Sequence, residues 1–116
     1  MDQENWDLNK EQEGLNDKEQ EVITTLKENK EGARELLQEL LIEKENEVKE
    51  SKDPARAAIE LNVYRARLYY KVGTDEALEE SFNDYEDAIS QALNEGRTDL
   101  ANQIIAEENK YFGESN

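Results

Sequence analysis

The stretch Asp53–Gly73, D-P-A-R-A-A-I-E-L-N-V-Y-R-A-R-L-Y-Y-K-V-G, constrains the fold more than any other part of the chain. It has a start signal, a stop signal and apolar residues on nearly every side. Asp53 suits a helix N-cap, and Pro54 suits the first helical position, where a missing N–H costs nothing. Gly73 can close the helix in a left-handed conformation. At about 100° per residue, Ala57, Ala58, Leu61, Tyr64, Leu68, Tyr69 and Val72 form one face. Ala55, Ile59, Val63, Ala66 and Tyr70 form a second. Only a narrow strip of Arg56, Glu60, Arg67 and Lys71 is left for water. A helix apolar almost all round is buried against several neighbours, which makes this the central helix of an all-α domain.

The flanking segments read as helices too. Residues 1–16 are expected to be an acidic N-terminal tail, 17–112 one helical domain and 113–116 a C-terminal tail. In the tail, Trp6 either docks on the bundle or on a partner, or frays with its neighbours. Asp17 can cap the next segment, with Gln20 completing a capping box. Val22, Leu26, Ala33, Leu36, Leu37, Leu40, Leu41 and Val48 fall within a sector of about 140°, consistent with one helix of about 30 residues. Asn29 and Lys30 interrupt that stripe and Gly32 costs helix stability, so a kink or break near Asn29–Gly32 is the main open point.

Beyond Gly73, Thr74 or Asp75 caps a further helix. Its apolar face holds Ala77, Leu78, Phe82, Tyr85, Ala88, Ile89, Ala92 and Leu93; its opposite face holds Glu76, Glu79, Glu80, Asp84, Glu86 and Asp87. Gly96 ends it, and Thr98 caps the last helix, where Leu100, Ala101, Ile104, Ile105, Tyr111 and Phe112 face inward. Connections of about three or four residues force neighbours antiparallel. The expected architecture is a small antiparallel bundle of four helices, or five if the first is broken.

Charge and composition narrow the function. The 116 residues carry a net charge of −16. It is uneven: residues 51–73 hold five bases and two acids, whereas residues 74–116 hold two bases and twelve acids. Such a field repels nucleic acid and acidic membranes and steers basic partners inward. Its plainest alternative meaning is solubility. No histidine and no cysteine are present, which removes the commonest general base near neutral pH, the thiol nucleophile and Cys/His zinc sites. Carboxylates at helical spacing occur everywhere in so acidic a chain, and no EF-hand, phosphate loop or nucleophile elbow is present. Neither an enzyme nor a bound cofactor or metal is expected. No run approaches the ~18 apolar residues of a membrane span, and the start M-D-Q-E-N-W-D has no signal-peptide pattern, so a cytoplasmic location is expected. Arg65 sits on an apolar face, where snorkelling or pairing with an acid of a neighbouring helix is expected ahead of a ligand role. Arg56 and Arg67 read as surface pairs, and the tyrosines as core or core-rim residues.

Tyr69, Gly73, Leu78 and Phe82 stand at the offsets of the tetratricopeptide hairpin, and Gly96, Ala101 and Ile105 repeat part of it. Residues 61–105 therefore resemble that family of helical hairpins. Leu78 replaces the usual Ala, the closing proline is missing, and the two glycines lie 23 residues apart rather than about 34. The resemblance implies a helical adaptor with a partner groove.

Two functional expectations follow. The first is a non-enzymatic module whose acidic face (Glu76, Glu79, Glu80, Asp84, Glu86, Asp87) docks a basic protein, in its sharpest form a nucleic-acid mimic that inhibits a DNA- or RNA-binding protein. Acids at i and i+4 lie about 6 Å apart along a helix, a fair match to a nucleic-acid backbone. The alternative is a tetratricopeptide-like adaptor that binds a peptide, or pairs with a second copy of itself, through an apolar stripe left uncovered by a long first helix.

Overall fold

The computed structural model describes residues 15–48 and 52–113. Over these the chain forms five helices: α1 (Asp17–Lys27), α2 (Ala33–Val48), α3 (Pro54–Val72), α4 (Asp75–Asn94) and α5 (Thr98–Phe112). The domain is all-α. The tails at 1–14 and 114–116, and with them Trp6, lie outside the described residues.

The first segment is broken where the stripe faltered. Asn29 (φ 54°) and Gly32 (φ 87°) are both left-handed. Two such residues within four positions cannot continue a right-handed helix. The chain turns back, and Lys18 at the start of α1 reaches Glu43 in the second half of α2 at 2.5 Å. No 30-residue helix remains, so the overhanging stripe expected from one does not exist. The cap also shifts by one residue. Asn16, not Asp17, is the N-cap: its side chain accepts from Glu19 N (2.8 Å), and its own N–H donates to Glu19 Oε1 (3.0 Å). Asp17 instead stands in the first turn, where a negative charge suits the helix dipole. Leu15 packs against the core ahead of that cap.

Around α3 the capping signals hold. The Asp53 carboxylate accepts from Arg56 N, and Gly73 takes the left-handed conformation (φ 80°) with its N–H on Tyr69 O. Thr74 caps α4 by accepting from Ala77 N. Thr98 does not cap α5: the N-cap is Arg97, whose side chain makes no capping bond and reaches Asp53 instead, at 2.7 Å. That pair ties the α4–α5 turn to the start of α3.

Helix α3 is the shared wall of two apolar clusters. One face (Leu68, Val72) packs with Val22 and Ile23 of α1, Leu37 and Leu40 of α2 and Ala77 of α4. The other (Ile59, Val63, Ala66) packs with Tyr85, Ala88, Ile89 and Ala92 of α4 and Leu100, Ala101 and Ile104 of α5. This division is what a helix apolar on two faces requires. Along α3 and α4 the contacts run antiparallel, Asn62 to Gln91, Arg65 to Asp84 and Ser81 Oγ to Ala66 O.

Candidate functional site

The acidic face of α4 is assembled by a helix with good caps and a strongly one-sided pattern. Its buried arc is Ala77, Ser81, Asp84, Tyr85, Ala88, Ile89 and Ala92. Glu76, Glu79, Glu80, Glu86 and Asp87 are all exposed. None of these five has a hydrogen-bonded ion pair among the described residues; Arg65 acts on Glu80 only through its field.

Asp84 does not belong to that exposed set. Its residue is only 2% exposed, and its two oxygens accept from Arg65 Nε (2.9 Å) and Nη2 (2.8 Å) of α3. Burial pushes the Asp84 carboxyl up, and the Arg65 guanidinium pulls it back; Glu80 and Asp87 nearby push the same way as burial. Asp84 in turn holds Arg65 more firmly protonated. The fork-to-carboxylate geometry is that of a charged pair. Arg65 is thus an ion-pairing residue between helices, one of its expected roles. The pair divides the α4 carboxylates. Glu76, Glu80 and Asp87 lie along the edge toward α3, and Glu79 and Glu86 along the edge toward α5, given about 100° per residue.

Phe82 and Leu93 also depart from the expected inward face, at 42% and 52% exposed. Both sit at the α5-side edge of the buried arc. Phe82 meets Phe112 of α5 edge-on at 5.6 Å, and Phe112 continues to Tyr70 at 5.7 Å and Tyr85 at 6.3 Å.

Arg56 and Arg67 are not simple surface pairs. Arg56 is buried and bonds Glu60 at 2.8 Å. Arg67 grips Glu107 of α5 with two bonds (2.7 and 2.8 Å), and the Tyr85 hydroxyl donates to the same carboxylate at 2.6 Å. The Glu107 side chain is 0% exposed. Burial first, and Glu107 second, raise the Tyr85 hydroxyl above its ordinary range. Tyr64 is raised likewise by burial and by its 2.6 Å bond to Glu19. These are supporting links between helices, not reactive groups.

Two residues that the sequence reading passed over stand at the α4–α5 seam and inside it. Glu107 and Glu108 are both buried. Each falls on the spacing of the apolar stripe, Glu107 between Ile104 and Tyr111 and Glu108 between Ile104 and Phe112, and that placement was a readable signal. Glu108 lies within hydrogen-bonding reach of Glu86; burial first, and Glu86 second, push its carboxyl up to about 8. Among the described residues no group of three or more acids is arranged to hold a metal ion, and no helix is long and apolar enough to cross a membrane.

No family model matches the chain, and neither a curated protein nor a solved structure matches it.

Proposed function

We propose that the domain is a non-enzymatic acidic docking module for a basic protein, with DNA- or RNA-binding proteins as the class of partner and inhibition by nucleic-acid mimicry as the mode. The carrying observation is the five exposed carboxylates of that face of α4, none in an ion pair among the described residues, on a 20-residue helix pinned to α3 and α5. With Asp84 turned inward, the 6 Å repeat survives within the named face only between Glu76 and Glu80, and Asp87 follows seven residues on, at about 10.5 Å. The reading therefore rests on charge and rigidity more than on a phosphate-like repeat. The adaptor reading loses its long-helix support, while the hairpin spacing of Tyr69, Gly73, Leu78 and Phe82 remains compatible with it.

The test is capture of partners from host lysate at roughly 50 mM and roughly 500 mM salt, where screening shortens the reach of surface charge several-fold, with partners identified by mass. Wild type is expected to take one basic, nucleic-acid-binding protein at low salt only, and E76Q/E79Q/E80Q/D87N is expected to lose it. Asp84 is left intact because removing it would unpair Arg65. Capture that ignores both salt and the four substitutions refutes the proposal.

A further inference from the structure

The seam between α4 and α5 is built in antiparallel rungs. Phe82 stands opposite Phe112, and one turn along, Glu86 stands opposite Glu108. Phe82, Glu86 and Leu93 follow one line along the exposed edge of α4, within about 40° of arc. The surface there is an exposed aromatic ring, an exposed carboxylate and a second apolar side chain, with a nearly buried carboxylate beneath.

Glu108 is the unusual member. It is 7% exposed, and among the described residues no donor reaches its Oε2. The two cations nearest in sequence or packing have other contacts. On α3, Arg67 is held by Glu107; on α5 itself, Lys110 lies over the Tyr111 ring at 5.7 Å. What α4 brings to Glu108 is a second carboxylate, Glu86. A buried carboxyl with one oxygen unpaired, sharing its proton with another carboxylate, is less well satisfied than one that meets a cation. Two other buried carboxylates, Asp84 and Glu107, are matched by arginine forks. Here no arginine among the described residues takes that place, and the Glu86 carboxylate beside Glu108 is exposed.

We propose that the Phe82–Glu86–Glu108 rung is the anchor point for an arginine side chain of the basic partner, the guanidinium bridging the two carboxylates and lying against the Phe82 ring. The chemistry selects arginine over lysine: a planar fork can bond two carboxylates at once and stack on an aromatic face. The inference rests on the docking reading above and narrows it from a charged face to one rung on the α5-side edge. Because Glu108 holds a proton near neutral pH when the site is empty, seating a guanidinium expels that proton. The proton passes to buffer, and a carboxylate–guanidinium pair replaces a carboxyl–carboxylate pair.

The test uses the full chain with amidated hexa-arginine and hexa-lysine as probes, by titration calorimetry at pH 7 in two buffers of different ionisation enthalpy. Hexa-arginine is expected to bind more tightly and to release close to one proton per complex. E108Q is expected to abolish the release and to weaken hexa-arginine roughly tenfold, the scale of a lost charge-assisted bond. F82A is expected to weaken it a further two- to five-fold, the scale of an exposed cation–π contact. F82A alters an exposed side chain, so it reports even if E108Q disturbs folding. Binding without proton release, or binding unchanged in E108Q and F82A, overturns the inference. If E76Q/E80Q/D87N abolishes binding while E108Q and F82A do not, the anchor lies on the other edge: the inference falls and the docking reading stands. Failure of both peptides to bind at low salt overturns both.

Discussion

Replacing Arg67 by Met removes the counter-charge of the most deeply placed acid in the domain. The Glu107 carboxylate is fully buried and accepts three bonds, two from Arg67 and one from the Tyr85 hydroxyl. Without Arg67 one donor remains and the charge is uncompensated, a change that costs about 3–5 kcal/mol. A domain of this size is stable by about 5–15 kcal/mol in total, so R67M should lose a large fraction of it. E107Q should cost less, about 2 kcal/mol, because the Arg67 side chain keeps 13% of its surface in water. If the two groups act as a pair, R67M/E107Q should be less destabilised than the sum of the single changes, with a coupling of about 2 kcal/mol or more. The assay is urea unfolding followed by helical circular dichroism at pH 7, with all four chains measured together. A cost below about 1 kcal/mol for R67M, or strict additivity in the double variant, would show that the network contributes no more than a surface ion pair.

Two further outcomes are expected. G73A should lose about 1–2 kcal/mol purely through its left-handed backbone, since a Cβ there would meet nothing nearer than 3.9 Å; urea midpoints check it, and a neutral result would mean the turn relaxes. Glu108 should make stability fall as pH rises. Folded, its carboxyl is pushed up to about 8, against an ordinary 4.5, so between those values the folded state holds a proton that the unfolded chain has released. Stability is therefore highest at the acid end of that window, declines by up to about 1.4 kcal/mol per pH unit across it and levels off above. E108Q should flatten the decline. A profile that rises from pH 5 to 8 would contradict the assignment.

Much of the fold was readable because it rests on local rules. The Asp53–Pro54 start and the Gly73 stop of α3 hold in the structure, as do the Thr74 cap and the weakness at Asn29–Gly32. The errors at caps were one residue wide, Asn16 for Asp17 and Arg97 for Thr98. Several neighbouring residues in each turn have capping side chains, and only the backbone angle selects between them. The candidate face was less readable. Five of its six acids are exposed as the wheel implied, but Asp84 is not. It sits at the border of the buried arc, three residues after Ser81 and four before Ala88, where a wheel cannot say whether a neighbouring helix covers it.

By itself, then, the sequence determined the helical class, the central position of α3, the turn chemistry and the concentration of negative charge after Gly73. Each follows from periodicity, backbone preference or composition, which act within a few residues. The tertiary structure alone decided which charges are internal: Arg65 on Asp84, Arg67 on Glu107, and Glu108 left facing Glu86. Those outcomes depend on the rotation of one helix against another. Pairs 19, 40 and 22 residues apart in the chain meet only when α3, α4 and α5 close on one another. A helical period gives the angle of a side chain about its own axis; the burial of a border position is set by what packs beside it.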